Sequence, residues 1–156
     1  MQTLSFIFRN HPLNAALLSW IAAQVLKTLF MFVKNRKIDF ERLVGAGGMP
    51  SAHSATVCAL TISVARREGV GSTMFAIVIV LAAVVMYDAM GVRRAAGEQA
   101  KRINEIAEGL KQDDEDDKQL FDSNLKEYLG HTPLEVLAGA MLGILTAMFL
   151  GYSMQN

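Results

Sequence analysis

Apolar and polar residues are sorted along this chain into long blocks, not into the strict alternation of strands. Residues 14–33, "NAALLSWIAAQVLKTLFMFV", have Gln24 and Lys27 as their only strongly polar members after the opening Asn14. Residues 73–91, "TMFAIVIVLAAVVMYDAMG", carry a single charge at Asp88, and residues 134–152, "LEVLAGAMLGILTAMFLGY", carry one at Glu135. Each block approaches the roughly 20 apolar residues needed to cross a bilayer. Residues 51–65, "SAHSATVCALTISVA", are shorter and richer in Ser and Thr. They predict a fourth helix shielded by the other three, with hydroxyls bonding back to their own helix or to neighbours. The pattern predicts an all-α fold: a polytopic membrane helix bundle of about four transmembrane helices plus a cytoplasmic amphipathic segment. A soluble helical bundle is the competing reading, because periodicity alone does not separate a buried core helix from a span.

The polar stretch before the last block is read in three pieces. Residues 95–112, "AAGEQAKRINEIAEGLKQ", place Ile103, Ile106 and Leu110 at helical spacing, which predicts an amphipathic continuation of the third helix. "DDEDD" at 113–117 is a like-charge block and reads as a solvated loop. It lacks the interleaved ligands and turn glycine of a calcium loop. Residues 118–129 read as a short interfacial helix, and 95–130 as one insertion within a single domain spanning 1–156.

Charge then orients the blocks. With four spans, Lys34, Arg36, Lys37, Arg42, Arg93, Arg94, Lys101, Arg102, Lys111, Lys118 and Lys126 share one face, and only Arg9, Arg66 and Arg67 lie on the other. The positive-inside rule makes the richer face cytoplasmic and places both termini outside, in a cell membrane. The spans were placed without using charge, so the asymmetry is independent support. Net charge is zero, which gives no reason to propose nucleic acid as a partner. One cysteine, Cys58, excludes a disulfide framework and a cysteine metal site within the chain, and it reads as a small buried hydrophobe. The N-terminal segment lacks a basic start and a small-residue cleavage site, so it is not read as a signal peptide.

Three polar constellations fall at the cytoplasmic ends of the blocks. In "GGMPSAHSA", 47–55, Pro50 suits the first helical position and puts Ser51, Ala52 and His53 in the first turn. Gly47 and Gly48 let a ligand approach the backbone, so the stretch is either an anion cradle or a plain capped helix start. In "GHTPLEVLAGA", 130–140, Pro133 suits the first helical position, Thr132 is a cap, and Glu135 completes a capping box. Glu135 also lies four residues from His131, within reach to hold one ring nitrogen and leave the other as a nucleophile. In "MYDAMGVRRAAGEQ", 86–99, Arg93 and Arg94 read as boundary anchors or as phosphate ligands. Asp88 and Lys27 are ionisable residues inside spans and are functional candidates by default. Two histidines, a lysine, arginines, helix-end amides and a carboxylate at one end of an apolar bundle suit phosphoryl transfer through a phosphohistidine.

"MPSAHSA" resembles the P-S-G-H motif of the type 2 phosphatidic acid phosphatase superfamily, and "HTPLEVLAG" resembles its H-x-P-x-D-V-x-A-G ending. Together "GGMPSAHSA", "MYDAMGVRRAAGEQA" and "LGHTPLEVLAG" resemble its divergent membrane branch, the acid phosphatase/vanadium-dependent haloperoxidase-related proteins, from about Gln24 to the C-terminus. The resemblance implies His131 as nucleophile, Glu135 as its orienting carboxylate, His53 as general acid, Ser51 as a phosphate-binding residue and Lys27 as the lysine of the first motif. Ala52 stands where that superfamily has glycine and Glu135 where it has aspartate. Leu125 stands where an arginine precedes the nucleophile by six residues, so Arg93 or Arg94 is the expected substitute. These residues predict a membrane phosphatase acting on a lipid phosphate at the cytoplasmic face, with phosphatidylglycerol phosphate favoured, vanadate as an inhibitor, and neither metal nor organic cofactor. A non-catalytic head-group-binding protein is the alternative, and an ion carrier using Asp88 and Lys27 a third class. Four short spans form a thin bundle, which makes a homodimer an expected way to enclose the site.

Overall fold

A computed structural model of the chain describes residues 9–35, 48–113, 125 and 130–153. Within them run five helices: α1 (His11–Asn35), α2 (Ala52–Glu68), α3 (Thr73–Met90), α4 (Val92–Asp113) and α5 (Pro133–Ser153). No strand occurs among the described residues. Three stretches are long and apolar enough to cross a membrane: His11–Val33, Thr73–Ala107 and Pro133–Gly151. Their outward faces carry large exposed apolar side chains, among them Leu17, Trp20, Phe30, Val80, Leu145 and Phe149. In water such a surface would drive aggregation; in a bilayer it is the solvated face. The protein is an all-α membrane bundle.

The weak fourth block is α2, and it sits at the centre, packed on α1, α3 and α5. Its hydroxyls are satisfied as its composition demands. Thr56 Oγ1 donates to the Ala52 carbonyl (2.7 Å), and Thr61 Oγ1 contacts the carbonyls of Val57 (2.7 Å) and, across to α3, Val78 (3.3 Å). Cys58 is half-buried, with Sγ 3.9 Å from Met86 Sδ.

Small residues govern how the helices meet. Along α5, Glu135, Gly139, Gly143, Ala147 and Gly151 recur every fourth position and form one ridge. A Cβ on Gly139 would fall inside the van der Waals shell of the Ser51 carbonyl oxygen, and one on Gly143 inside that of Ala55. The α2 backbone therefore lies directly against α5. On α1 the matching ridge is Ala15, Ser19, Ala23 and Lys27, all buried. Close backbone approach is how helices gain packing contacts where lipid removes the hydrophobic drive to associate.

The expected continuation of the third helix is α4, which follows α3 after a break at Gly91 (φ −101°, ψ −82°). Its Ile103 and Ile106 are exposed, whereas Asn104 is buried. Asn104 holds the backbone of Leu125 at both ends, with Nδ2 donating to the carbonyl and Oδ1 accepting from the N–H, each at 2.9 Å. Gly47, most of the acidic run and the expected interfacial helix at 118–129 apart from Leu125 lie outside the described residues.

Candidate active site

Two backbone hydrogen bonds assemble the site. The Ser51 N–H donates to the Glu135 carbonyl (3.0 Å), tying the start of α2 to the start of α5. The His131 N–H donates to the Ala89 carbonyl (3.0 Å), tying the segment before α5 to the end of α3. All three polar constellations are thus joined through main-chain atoms.

The start of α2 differs from the expectation in one respect. Pro50 is not the first helical residue; Ser51 is the N-cap, with extended backbone (φ −67°, ψ 115°), and the helix begins at Ala52. The Met49–Pro50 bond is cis. Ser51 Oγ accepts from the Ser54 N–H (3.4 Å) and from Ser54 Oγ (3.1 Å). A hydroxyl that satisfies a first-turn N–H makes residue 51 a better cap than helix interior. Its own N–H is committed to Glu135, so the amides available to an anion at this helix end belong to the turn that follows. Ser51 is fully buried, and its hydroxyl proton remains as its one donor.

At the start of α5 the bland and the chemical readings hold together. Pro133 opens the helix, the Glu135 N–H donates to Thr132 Oγ1 (3.3 Å), and Glu135 Oε2 accepts from the Thr132 N–H (3.1 Å). This is a complete capping box. The same Oε2 lies 3.1 Å from His131 Nδ1. A carboxylate only accepts, so the proton sits on Nδ1, which in the neutral ring leaves the lone pair on Nε2. His131 is 4% exposed, and its ring meets that of His53 edge-on at 6.1 Å between centroids. His53 is exposed on the first turn of α2.

Lys27 enters from α1 and is 5% exposed. Gly48 makes room for it: Gly48 has φ +89°, and a Cβ there would lie 2.9 Å from Lys27 Cε. Gly48→Ala therefore combines left-handed strain of about 1–2 kcal/mol with displacement of the lysine stem. The expected result is a lower melting temperature in detergent together with weakened binding of a phosphate mimic; unchanged values of both would remove Gly48 from the site.

Lys27, Gly48, Ser51, Ala52, His53, His131 and Glu135 converge. Asp88 lies one residue before Ala89 and is partly buried. Arg94 is exposed and its Nε donates to Glu98 Oε1 (3.1 Å) on α4, and no described contact joins it to the histidine pair. The Arg93 side chain lies outside the described structure. Among the described residues no three His, Cys, Asp or Glu side chains are grouped to hold a metal ion. Sequence reasoning missed Gly139, Gly143, Ser54 and Asn104, the residues that hold this framework. The glycines had left a signal, the four-residue spacing in "GAMLG" at 139–143. Gln24, one turn from Lys27, has a buried Oε1 without a partner among the described residues.

A family model described as "Divergent PAP2 family" matches residues 8–146. The chain belongs to the divergent PAP2 family. The three constellations of this PAP2-related protein all fall inside the matched region. It is also 41% identical over 156 residues to a Bacillus subtilis (strain 168) protein described as "Uncharacterized membrane protein YuiD", covering 94% of this chain and 97% of that one. No solved structure matches the chain.

Proposed function

We propose that this divergent PAP2-related protein is a lipid-phosphate phosphatase that works through a phosphohistidine. The observation that carries the reading is the Glu135–His131–His53 arrangement: one imidazole oriented through Nδ1, with a second ring within the span of one phosphoryl group. In the first half-reaction His131 Nε2 attacks phosphorus, the bond from phosphorus to the lipid oxygen breaks, and protonated His53 gives its proton to that oxygen. In the second, neutral His53 takes a proton from water, the water oxygen attacks phosphorus, and the phosphorus–nitrogen bond breaks to release inorganic phosphate. Lys27, the Ser51 hydroxyl and the first-turn amides beginning at Ala52 hold the non-bridging oxygens, where negative charge concentrates. Arg93 or Arg94 completes the charge that Leu125 does not provide.

The basic-residue asymmetry supports a cytoplasmic site with both termini outside. A phosphomonoester lipid made on that leaflet fits, and phosphatidylglycerol phosphate is the favoured substrate. The test is phosphate release by purified protein from phosphatidylglycerol phosphate, phosphatidic acid and polyprenyl phosphates in mixed micelles. Vanadate, which mimics the five-coordinate phosphorus of each half-reaction, is expected to inhibit competitively. Turnover insensitive to vanadate would count against the histidine route.

A second reading, a head-group-binding membrane protein without turnover, is favoured by Leu125 at the arginine position and by the Arg94–Glu98 pair. Saturable binding of these lipids with no phosphate released would establish it.

A further inference from the structure

The opposite end of the bundle holds a second polar feature that the histidine chemistry does not use. A cavity of about 260 Å³ opens between the first turn of α1, the last turn of α2 and the last turn of α5. Its polar lining is His11, Asn14, Ser63, Arg66 and Arg67, and no carboxylate lines it among the described residues. From Glu135 to Gly151 is 16 residues, about 24 Å along α5 at 1.5 Å per residue, so the cavity sits near the far membrane boundary.

Arg66 is placed there by its neighbours. Its Nη1 donates to the Met148 carbonyl (3.1 Å), and a Cβ on Gly151 would lie 2.5 Å from its Cζ. The guanidinium thus lies against the α5 backbone beside Gly151. That bond uses one of five donors and leaves the rest of the fork for a ligand. Arg67 adds a second charge, and the first turn of α1 adds the positive end of a helix. Arg66 and Arg67 are two of only three basic residues assigned to that face. The volume falls below the roughly 300–1,000 Å³ of pockets that enclose whole drug-sized ligands, which suits a head group with its chains outside.

We propose that this cavity binds a phosphate-bearing anion, supplied either as the head group of an anionic phospholipid in the leaflet opposite the histidine site or as free phosphate. Bound there, the phosphate bridges α1, α2 and α5 at the end of the bundle farthest from His131.

The test uses the full chain, delipidated in neutral detergent and titrated with phosphatidylglycerol while native mass spectrometry counts the lipids bound. Lipid held at the histidine site is common to all variants and cancels in the comparison. Arg66→Gln/Arg67→Gln is expected to weaken one binding event by at least about tenfold. Arg9→Gln removes the same kind of charge outside the cavity and is expected to leave that event unchanged. Arg66→Lys keeps the charge but loses the fork, and is expected to weaken binding severalfold even if the double variant does not fold. Competition by millimolar inorganic phosphate assigns the site to free phosphate; its absence assigns it to the lipid. Wild-type affinity in the double variant or in Arg66→Lys, or an equal loss in Arg9→Gln, overturns the proposal.

Discussion

Replacing His131 with alanine is expected to reduce phosphate release from a lipid phosphomonoester to background, a fall of at least about 10³-fold, while the bundle stays folded. The substitution removes the oriented Nε2 but keeps the main-chain N–H that donates to Ala89. Glu135 also keeps its capping bonds with Thr132. The structural loss is therefore one side-chain hydrogen bond, about 1 kcal/mol, together with the packing of a buried ring. His53→Ala removes the proton donor of the first half-reaction and the base of the second, and is expected to cost about 10²–10⁴-fold. The two losses are separable by leaving group. An aryl phosphate leaves without needing a proton, so it should restore the first half-reaction, read as a burst of released aryl alcohol, to His53→Ala and not to His131→Ala. The measurement is phosphate release from a lipid substrate and burst release of the aryl alcohol by both variants, with melting temperatures alongside. Wild-type turnover in His131→Ala ends the phosphohistidine mechanism.

What sequence reasoning could reach here followed the strength of the physical signal. The spans at residues 14–33, 73–91 and 134–152 were legible because membrane thickness sets one length and lipid tolerates few charges, and α1, α3 and α5 occupy them. The weaker block, 51–65, was legible through its hydroxyls, whose intrahelical and cross-helix bonds fit a helix surrounded by protein. At the candidate site, residue types were legible and their connections were not. Proline at the first helical position and serine at the cap compete at adjacent residues, and the Ser51 hydroxyl bond to the Ser54 N–H, with its own N–H held by Glu135, decides for the cap. Glu135 has two readings, and one carboxylate oxygen serves the cap and the histidine together. Arg94 illustrates the opposite limit: an i,i+4 glutamate on its own helix is a nearer partner than anything across the bundle. Packing was least legible, because hydropathy treats the small residues of the α1 and α5 ridges as weakly apolar, whereas their value lies in what they leave empty.

The second large effect concerns that empty space. Gly143→Val is expected to lower bundle stability by at least about 3 kcal/mol, at or above the upper end of ordinary overpacking. The new Cβ would meet the Ala55 carbonyl oxygen and would lie 3.0 Å from both the Ala55 carbonyl carbon and the Ala59 nitrogen. These are backbone atoms of a helix and have no rotamer by which to move aside. The helices must separate instead, and separation pulls on the Ser51 N–H bond to Glu135 two turns away. Buried in a bundle, that donor has no water to replace its partner, so the cost of helix separation extends to the histidine site. Leu145→Val on the same helix trims an exposed side chain and is expected to change stability by no more than about 0.5 kcal/mol. Thermal melting in detergent compares the two variants directly. Phosphate-mimic binding at a temperature where Gly143→Val is still folded then reads the distant end of the ridge. If α5 aligns the two histidine-bearing segments through its glycines, affinity falls in Gly143→Val and not in Leu145→Val. Equal affinity in both variants would mean that the start of α5 holds its place through the capping box and the Ala89 bond alone.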